Sequence, residues 1–145
     1  VTQSRRVLRT FTVRYPVFRA TIHMCVGPYL EFAEWYRCHY KDNTTAVDGP
    51  EPLGKMIELI NDGCDGVREW FLWFPSTRAE SQTVGHECLH AVIHILNDRG
   101  VRFAPDSEEV YTYYLSFLMR EVEKFFNRLD RPKKTAINAG SSLVR

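Results

Sequence analysis

The sequence predicts an α+β fold in which a small, twisted, mostly antiparallel sheet packs on one helix and a second long helix follows toward the C-terminus. Three patterns carry that expectation. Apolar and polar residues alternate along the first strand-like segments. Two apolar runs flank the Gly-rich stretch Asn61-Asp62-Gly63-Cys64-Asp65-Gly66, as in a β-hairpin. Two later segments repeat apolar residues at helical spacing. With 145 residues, 44% of them hydrophobic, the chain fits one domain with a real core. That domain is expected over residues 1–130, with 131–145 as a flexible tail, basic at first and then small and polar, that could contact a protein partner.

Taken in order, Val7 to Tyr15 is rich in valine, phenylalanine and threonine and reads as a strand, interrupted by Pro16. Phe18 to Val26 alternates, which puts Phe18, Ala20, Ile22, Met24 and Val26 on one face of a second strand ended by Gly27-Pro28. Tyr29 to Tyr40 lacks glycine and proline and reads as a helix with Leu30, Ala33, Trp35 and Cys38 on its apolar side. Residues 41–53, with two prolines, read as a surface loop. Lys55 to Ile60 is a strand or a short helix. Val67 to Phe74 is apolar on both faces, as a strand across a buried sheet should be. A helix follows, capped by Ser81 or Thr83 and closed by Gly100, with Leu89, Val92, Ile93 and Leu96 expected toward the core. The last helix starts after Pro105, with Asp106 as cap and Glu109 completing a capping box. Val110, Tyr114, Phe117, Leu118 and Phe125 form its apolar row.

Lysine plus arginine exceed aspartate plus glutamate by one, so charge gives no reason to expect a nucleic-acid partner. No apolar run approaches the roughly 20 residues of a membrane span, and no membrane partner is expected. The opening residues lack a signal peptide's apolar block, which leads us to expect a cytoplasmic protein, in a host cytoplasm or virion if the source is viral. The four cysteines, Cys25, Cys38, Cys64 and Cys88, share no CxxC spacing and are expected to be reduced.

The chemistry lies in Gly85-His86-Glu87-Cys88-Leu89-His90. Residues four apart on a helix project about 40° from one another, so His86 and His90 can aim two imidazole nitrogens at one zinc ion. Zinc accepts nitrogen at about 2.0–2.1 Å, and a catalytic site leaves a position for water. Glu87 follows the first histidine, beside that water, where a carboxylate can take its proton as it attacks a carbonyl. Cys88 is read as a small apolar helix residue.

A third protein ligand is required. Glu109 comes first, with 18 residues between it and His90; Glu108 and Asp106 are its rivals. His94 reads as a second-shell, substrate-facing or surface residue. Glu121 reads either as an outer hydrogen-bond partner of a ligand histidine or as an ion pair with an arginine. Tyr113, one turn past Glu109, is a candidate to hold the developing oxyanion, or is simply a core or rim residue.

The row His86-Glu87-Cys88-Leu89-His90, 18 residues and then Glu109 resembles the HExxH…E zincins called gluzincins. The resemblance covers about 45 residues, Trp70 to Tyr114. It implies His86, His90 and Glu109 as zinc ligands and Glu87 as general base. The Asn-Glu-Gly-Phe pattern of the related aminopeptidases is replaced by Ser107-Glu108-Glu109-Val110. In size the chain is more similar to minimal single-domain zincins, in which an edge strand beside the helix binds an extended substrate; Val67 to Phe74 is expected to be that edge. The pattern is also similar to small zincin-like proteins of bacteriophages. The function expected is a zinc metallopeptidase acting on a peptide or protein. The alternatives are a catalytically silent structural or assembly protein of zincin shape, such as a virion component, and, last, hydrolysis of a small-molecule amide.

Overall fold

The computed structural model describes residues 8–14, 20–60 and 68–131. It is an α+β arrangement with four strands and three α-helices: β1 (Arg9–Arg14), β2 (Thr21–Val26), α1 (Tyr29–His39), β3 (Lys55–Ile60), β4 (Arg68–Phe74), α2 (Ser81–Asp98) and α3 (Glu108–Asp130). Lys41–Val47 forms a 3₁₀ turn where a loop was expected.

The sheet order is β1-β2-β4-β3. β1 and β2 are antiparallel, β2 and β4 parallel, and β3 and β4 antiparallel, so the sheet is mixed. Lys55–Ile60 is therefore a strand rather than a helix, and it pairs with β4 as the hairpin pattern predicts. The turn expected at 61–66 lies outside the described residues, as do Phe18 and the tail beyond 131.

Both sheet faces are covered. Ala20, Ile22, Met24 and Val26 of the expected β2 face pack with Trp70, Leu72 and Phe74 against α2 and α3. Cys25, Phe71, Trp73, Ile57 and Leu59 point the other way, against Tyr29, Phe32 and Tyr36 of α1. Trp70 through Phe74 have no exposed area at all, which explains a run apolar on both faces. That run is an inner strand flanked by β2 and β4's other neighbour, β3. The expectation that Val67 to Phe74 forms the edge is corrected: among the described strands the edge on that side is β3.

Three local readings also change. α1 buries Tyr29, Phe32, Ala33 and Tyr36, while Leu30 and Cys38 are exposed, because the large rings rather than the leucine seek the sheet. α2 buries Val84, Cys88, Ala91, Val92, Ile95 and Leu96, leaving Leu89 42% exposed. Neither Ser81 nor Thr83 caps α2, whose N-cap is Glu80, and neither Asp106 nor a Glu109 capping box starts α3. There the N-cap is Ser107, whose hydroxyl bonds back to the Arg102 and Ala104 carbonyls, holding the preceding turn. Gly100 closes α2 as expected. Its φ of +76° lets the chain reverse, and Val101 N–H donates to the Leu96 carbonyl at 2.9 Å.

Leu72 has its side chain wholly inside the α2–α3 face. Leu72→Ala is expected to cost about 2–5 kcal/mol, read as a lower midpoint in urea unfolding with an unchanged slope; a cost below about 1 kcal/mol would show that the inner strand is not packed as described.

Candidate metal centre

The burial pattern of α2 sets the site. Its buried residues centre on Cys88 and Ile95. His86 and His90 fall about 160° away around the helix from Cys88, on the outer crest. Both are exposed. Their Nε2 atoms lie 3.0 Å apart, with rings nearly perpendicular at 83°. Two nitrogens bound to one tetrahedral zinc at 2.0–2.1 Å lie about 3.3 Å apart. A small rotation of either ring reaches that spacing, so the pair has the separation of two of the three protein ligands a catalytic zinc takes.

Glu87 is half-buried on the flank of the crest that faces β3. Gly54, just before β3, is packed against it. A Cβ added at Gly54 would come within 2.8 Å of Thr83 Cγ2 and 3.1 Å of Glu87 Cγ. Leu53, Gly54, Glu80, Gln82, Thr83, His86 and Glu87 line a shallow cavity of about 420 Å³ at this point. β3 then runs alongside α2 from Gly54, near Thr83 and Glu87, to Glu58, which meets His94.

His94 Nδ1 and Glu58 Oε2 lie 2.8 Å apart, and the carboxylate can only accept, so Nδ1 carries the hydrogen. Arg68 of β4 donates to Glu58 at 3.1 Å and, through Nε, to Asp98 of α2 at 2.9 Å. His94 thus bonds to Glu58 of β3 rather than to His86 or His90. Neither Glu58 nor Gly54 was singled out from sequence. The signal for Glu58 was a lone charge between apolar residues of a strand.

Glu109 is not brought to the pair. Tyr111 of α3 donates to Asn97 Oδ1, at the last turn of α2, whereas Met119 faces Gly85. The two helices are therefore antiparallel, and Glu109 sits beyond Asn97, more than about 10 Å along the axis from His90. It is exposed, as are Glu108 and Asp106. Among the described residues no group of three His, Cys, Asp or Glu is placed to hold a metal ion. Tyr113 is 67% exposed, with its ring against Tyr114. It projects about 100° or more from Thr112 and Leu115, which border α2, so it does not overhang the histidines. Glu121 pairs with Lys124 at 2.6 Å, a lysine of its own helix where an arginine was expected.

A second polar row crosses the other face of the sheet. Thr12 Oγ1 meets His23 Nδ1 at 3.0 Å, and His23 Nε2 meets Glu69 at 3.0 Å. Tyr40 donates to the same carboxylate, and burial followed by that charge pushes its hydroxyl up to about 12. This row ties β1, β2, β4 and the end of α1 together.

Among protein-family models, curated proteins and solved structures, none matches this chain. No helix among the described residues is long and apolar enough to cross a membrane.

Gly54→Ala is expected to displace Thr83 and Glu87 and to lower stability by about 1–3 kcal/mol, read as a drop in thermal midpoint; an unchanged midpoint would show that β3 does not approach α2 so closely. Cys88, inside the motif, is wholly buried, and burial pushes its thiol up to about 12. At pH 8 it is therefore a neutral thiol, and mass mapping after brief labelling of the native protein should find the exposed Cys38 modified and Cys88 untouched. Early modification of Cys88 would contradict the seating of α2.

Proposed function

We propose that this chain is a zinc-dependent metallopeptidase of minimal zincin type, in which His86 and His90 hold the ion and Glu87 is the general base. The observation that carries the reading is the convergence of the two Nε2 atoms at 3.0 Å on an exposed crest, with a carboxylate on the adjoining flank. A carboxylate next to the first histidine is what hydrolysis needs and what a purely structural ion does not. When bound, zinc would polarise a carbonyl and make a neighbouring water acidic enough to ionise near neutral pH.

The chain's own residues supply the rest. His86 and His90 would hold the ion through Nε2 as two of its protein ligands, and among the described residues no third stands beside them. Glu87 accepts the proton of the attacking water and can return it to the departing amine. Gly54 admits the Glu87 side chain to this place by having no side chain of its own. The sheet edge at β3 supports a peptide substrate: β3 is the terminal strand, it runs beside the crest, and an extended chain can add to an open edge through backbone hydrogen bonds. The tie from Glu58 to His94 keeps that edge in register with the helix.

Zinc titration by calorimetry should show binding to wild type and to Glu87→Gln with similar affinity, and a large loss for His90→Ala. On a peptide-library digest Glu87→Gln should cut at least roughly 100-fold more slowly than wild type. Equal rates on a verified substrate would remove Glu87 from the role of base, and undiminished zinc affinity in His90→Ala would remove the metal site.

A further inference from the structure

The sheet face away from α2 carries a second constellation. Thr12 of β1, His23 of β2 and Glu69 of β4 share that face with Cys25 and Phe71. Thr12 and His23 are direct partners across β1 and β2, and Glu69 stands two residues before Phe71, the β4 partner of His23. The Glu69 carboxylate can only accept, so the hydrogen in its 3.0 Å bond to His23 sits on Nε2. The neutral ring then has a bare Nδ1, and the Thr12 hydroxyl, 3.0 Å away, donates to it.

Each member of the row is held in place. The imidazole lies on the Phe71 ring at 4.8 Å and 21°. Tyr40, at the end of α1, donates to the same Glu69 oxygen at 3.4 Å. The imidazole is 19% and the carboxylate 29% exposed, whereas Thr12 stands exposed on β1. The hydroxyl is thus the end of the row that meets solvent. A cross-strand pair of this kind contributes only about 0.2–1 kcal/mol to a sheet, so stability alone gives little reason for the alignment. A hydroxyl bonded to a base, with the base oriented by a third group, is the arrangement that makes a nucleophile. Arg14 is exposed two residues further along β1, on the same face, and offers a guanidinium to a negative oxygen formed beside Thr12.

Independently of the histidine crest, we infer that Thr12 is the nucleophile of a second hydrolytic site, one that acts on activated esters of small acyl groups. Thr12 Oγ1 attacks the ester carbonyl, and its proton passes to His23 Nδ1. The bond from the carbonyl carbon to the leaving oxygen then breaks, and that oxygen takes the proton from Nδ1. Water attacks the acyl-threonine so formed and gives a proton to Nδ1. The acid departs as Oγ1 recovers that proton. Glu69 is a positioning residue: it keeps the hydrogen on Nε2 and stabilises the imidazolium that forms in each step. Among the described residues β1 is the terminal strand, so the hydroxyl is approached from open solvent. A small acyl group on a good leaving group is the substrate that such access suits.

The test uses the full chain with a metal chelator present, which silences the histidine crest. p-Nitrophenyl acetate should be turned over. A fluorophosphonate probe should modify Thr12 at least roughly 100-fold faster than Thr10, which is exposed on the same strand and face but opposite Cys25. His23→Gln should slow both reactions at least roughly 100-fold. Thr12→Val should abolish ester turnover and Thr12→Ser should retain it, with circular dichroism showing every variant folded. Glu69→Gln should slow turnover at least roughly tenfold, and nitrogen NMR of the His23 ring should show the hydrogen no longer confined to Nε2. Equal modification of Thr10 and Thr12, turnover that survives in Thr12→Val, or a wild-type rate in Glu69→Gln would each overturn the site. Turnover seen only without chelator would belong to the histidine crest and would overturn it as well. Zinc uptake enters none of these readouts, so the failure of this site and that of the metallopeptidase reading are told apart.

Discussion

Val84, Cys88, Ala91, Val92, Ile95 and Leu96 seat α2 on the sheet, and the rotation they impose about the helix axis fixes everything else at the site. The same rotation that buries Cys88 lifts His86 and His90 to the crest. It puts Glu87 on the flank toward β3 and Leu89 on the flank toward α3. Turning the helix by one residue, about 100°, would bury one histidine and carry the other away from open space. The two imidazoles therefore depend on six apolar contacts that have no chemistry of their own.

Much of this was legible in the sequence. Strand alternation from Ala20 to Val26, the doubly apolar β4, the β3–β4 pairing, both long helices and the closing Gly100 follow from local patterns, and those patterns agree with the packing. The pair His86 and His90 was legible because i and i+4 share a helix face whatever surrounds it. Helix phase was read less well. In α1 the leucine at position 30 looked like a core residue, yet Tyr29, Phe32 and Tyr36 fill the space above Phe71 and Trp73. In α2 Leu89 looked buried, yet Cys88 and Ala91, small enough for close approach to the sheet, took the core instead. Strand order was not legible either. The hairpin pattern supplies β3 as one neighbour of the apolar run at Trp70, but nothing in that run says that β2 lies on its other side, in parallel.

The placement of Glu109 follows from lengths. α2 continues for eight residues beyond His90 before it ends at Asp98. That carries the chain about 12 Å past the histidine. A return of equal length would need about eight helical residues of α3 ahead of Glu109, and α3 has one, Glu108. A spacing of 18 residues can bring a carboxylate back to a histidine only if the first helix stops early. Here Ile95 and Leu96, both buried, extend α2 across the sheet and hold it helical to the end. The spacing alone did not contain that information, because it counts residues and not turns.

The cluster of Glu58, His94, Arg68 and Asp98 has a geometric rather than an energetic role. Its members keep part of their surface in water, from 12% for Asp98 to 42% for His94. Isolated pairs so placed contribute little, commonly 0–1 kcal/mol each. Their arrangement is more telling than their strength. Glu58 is the one polar residue of β3 that faces α2, and it takes bonds from both α2 and β4. Among the described residues β3 has no strand on its outer side, and an edge strand is held in register by fewer backbone bonds than an inner one. Tying its midpoint to His94, one turn beyond His90, sets the distance from the sheet's open edge to the histidine crest. Gly54 sets it again at the other end by close packing. One fixed point in β3, at Glu58, and one just ahead of it, at Gly54, hold the six-residue strand to one register along the helix.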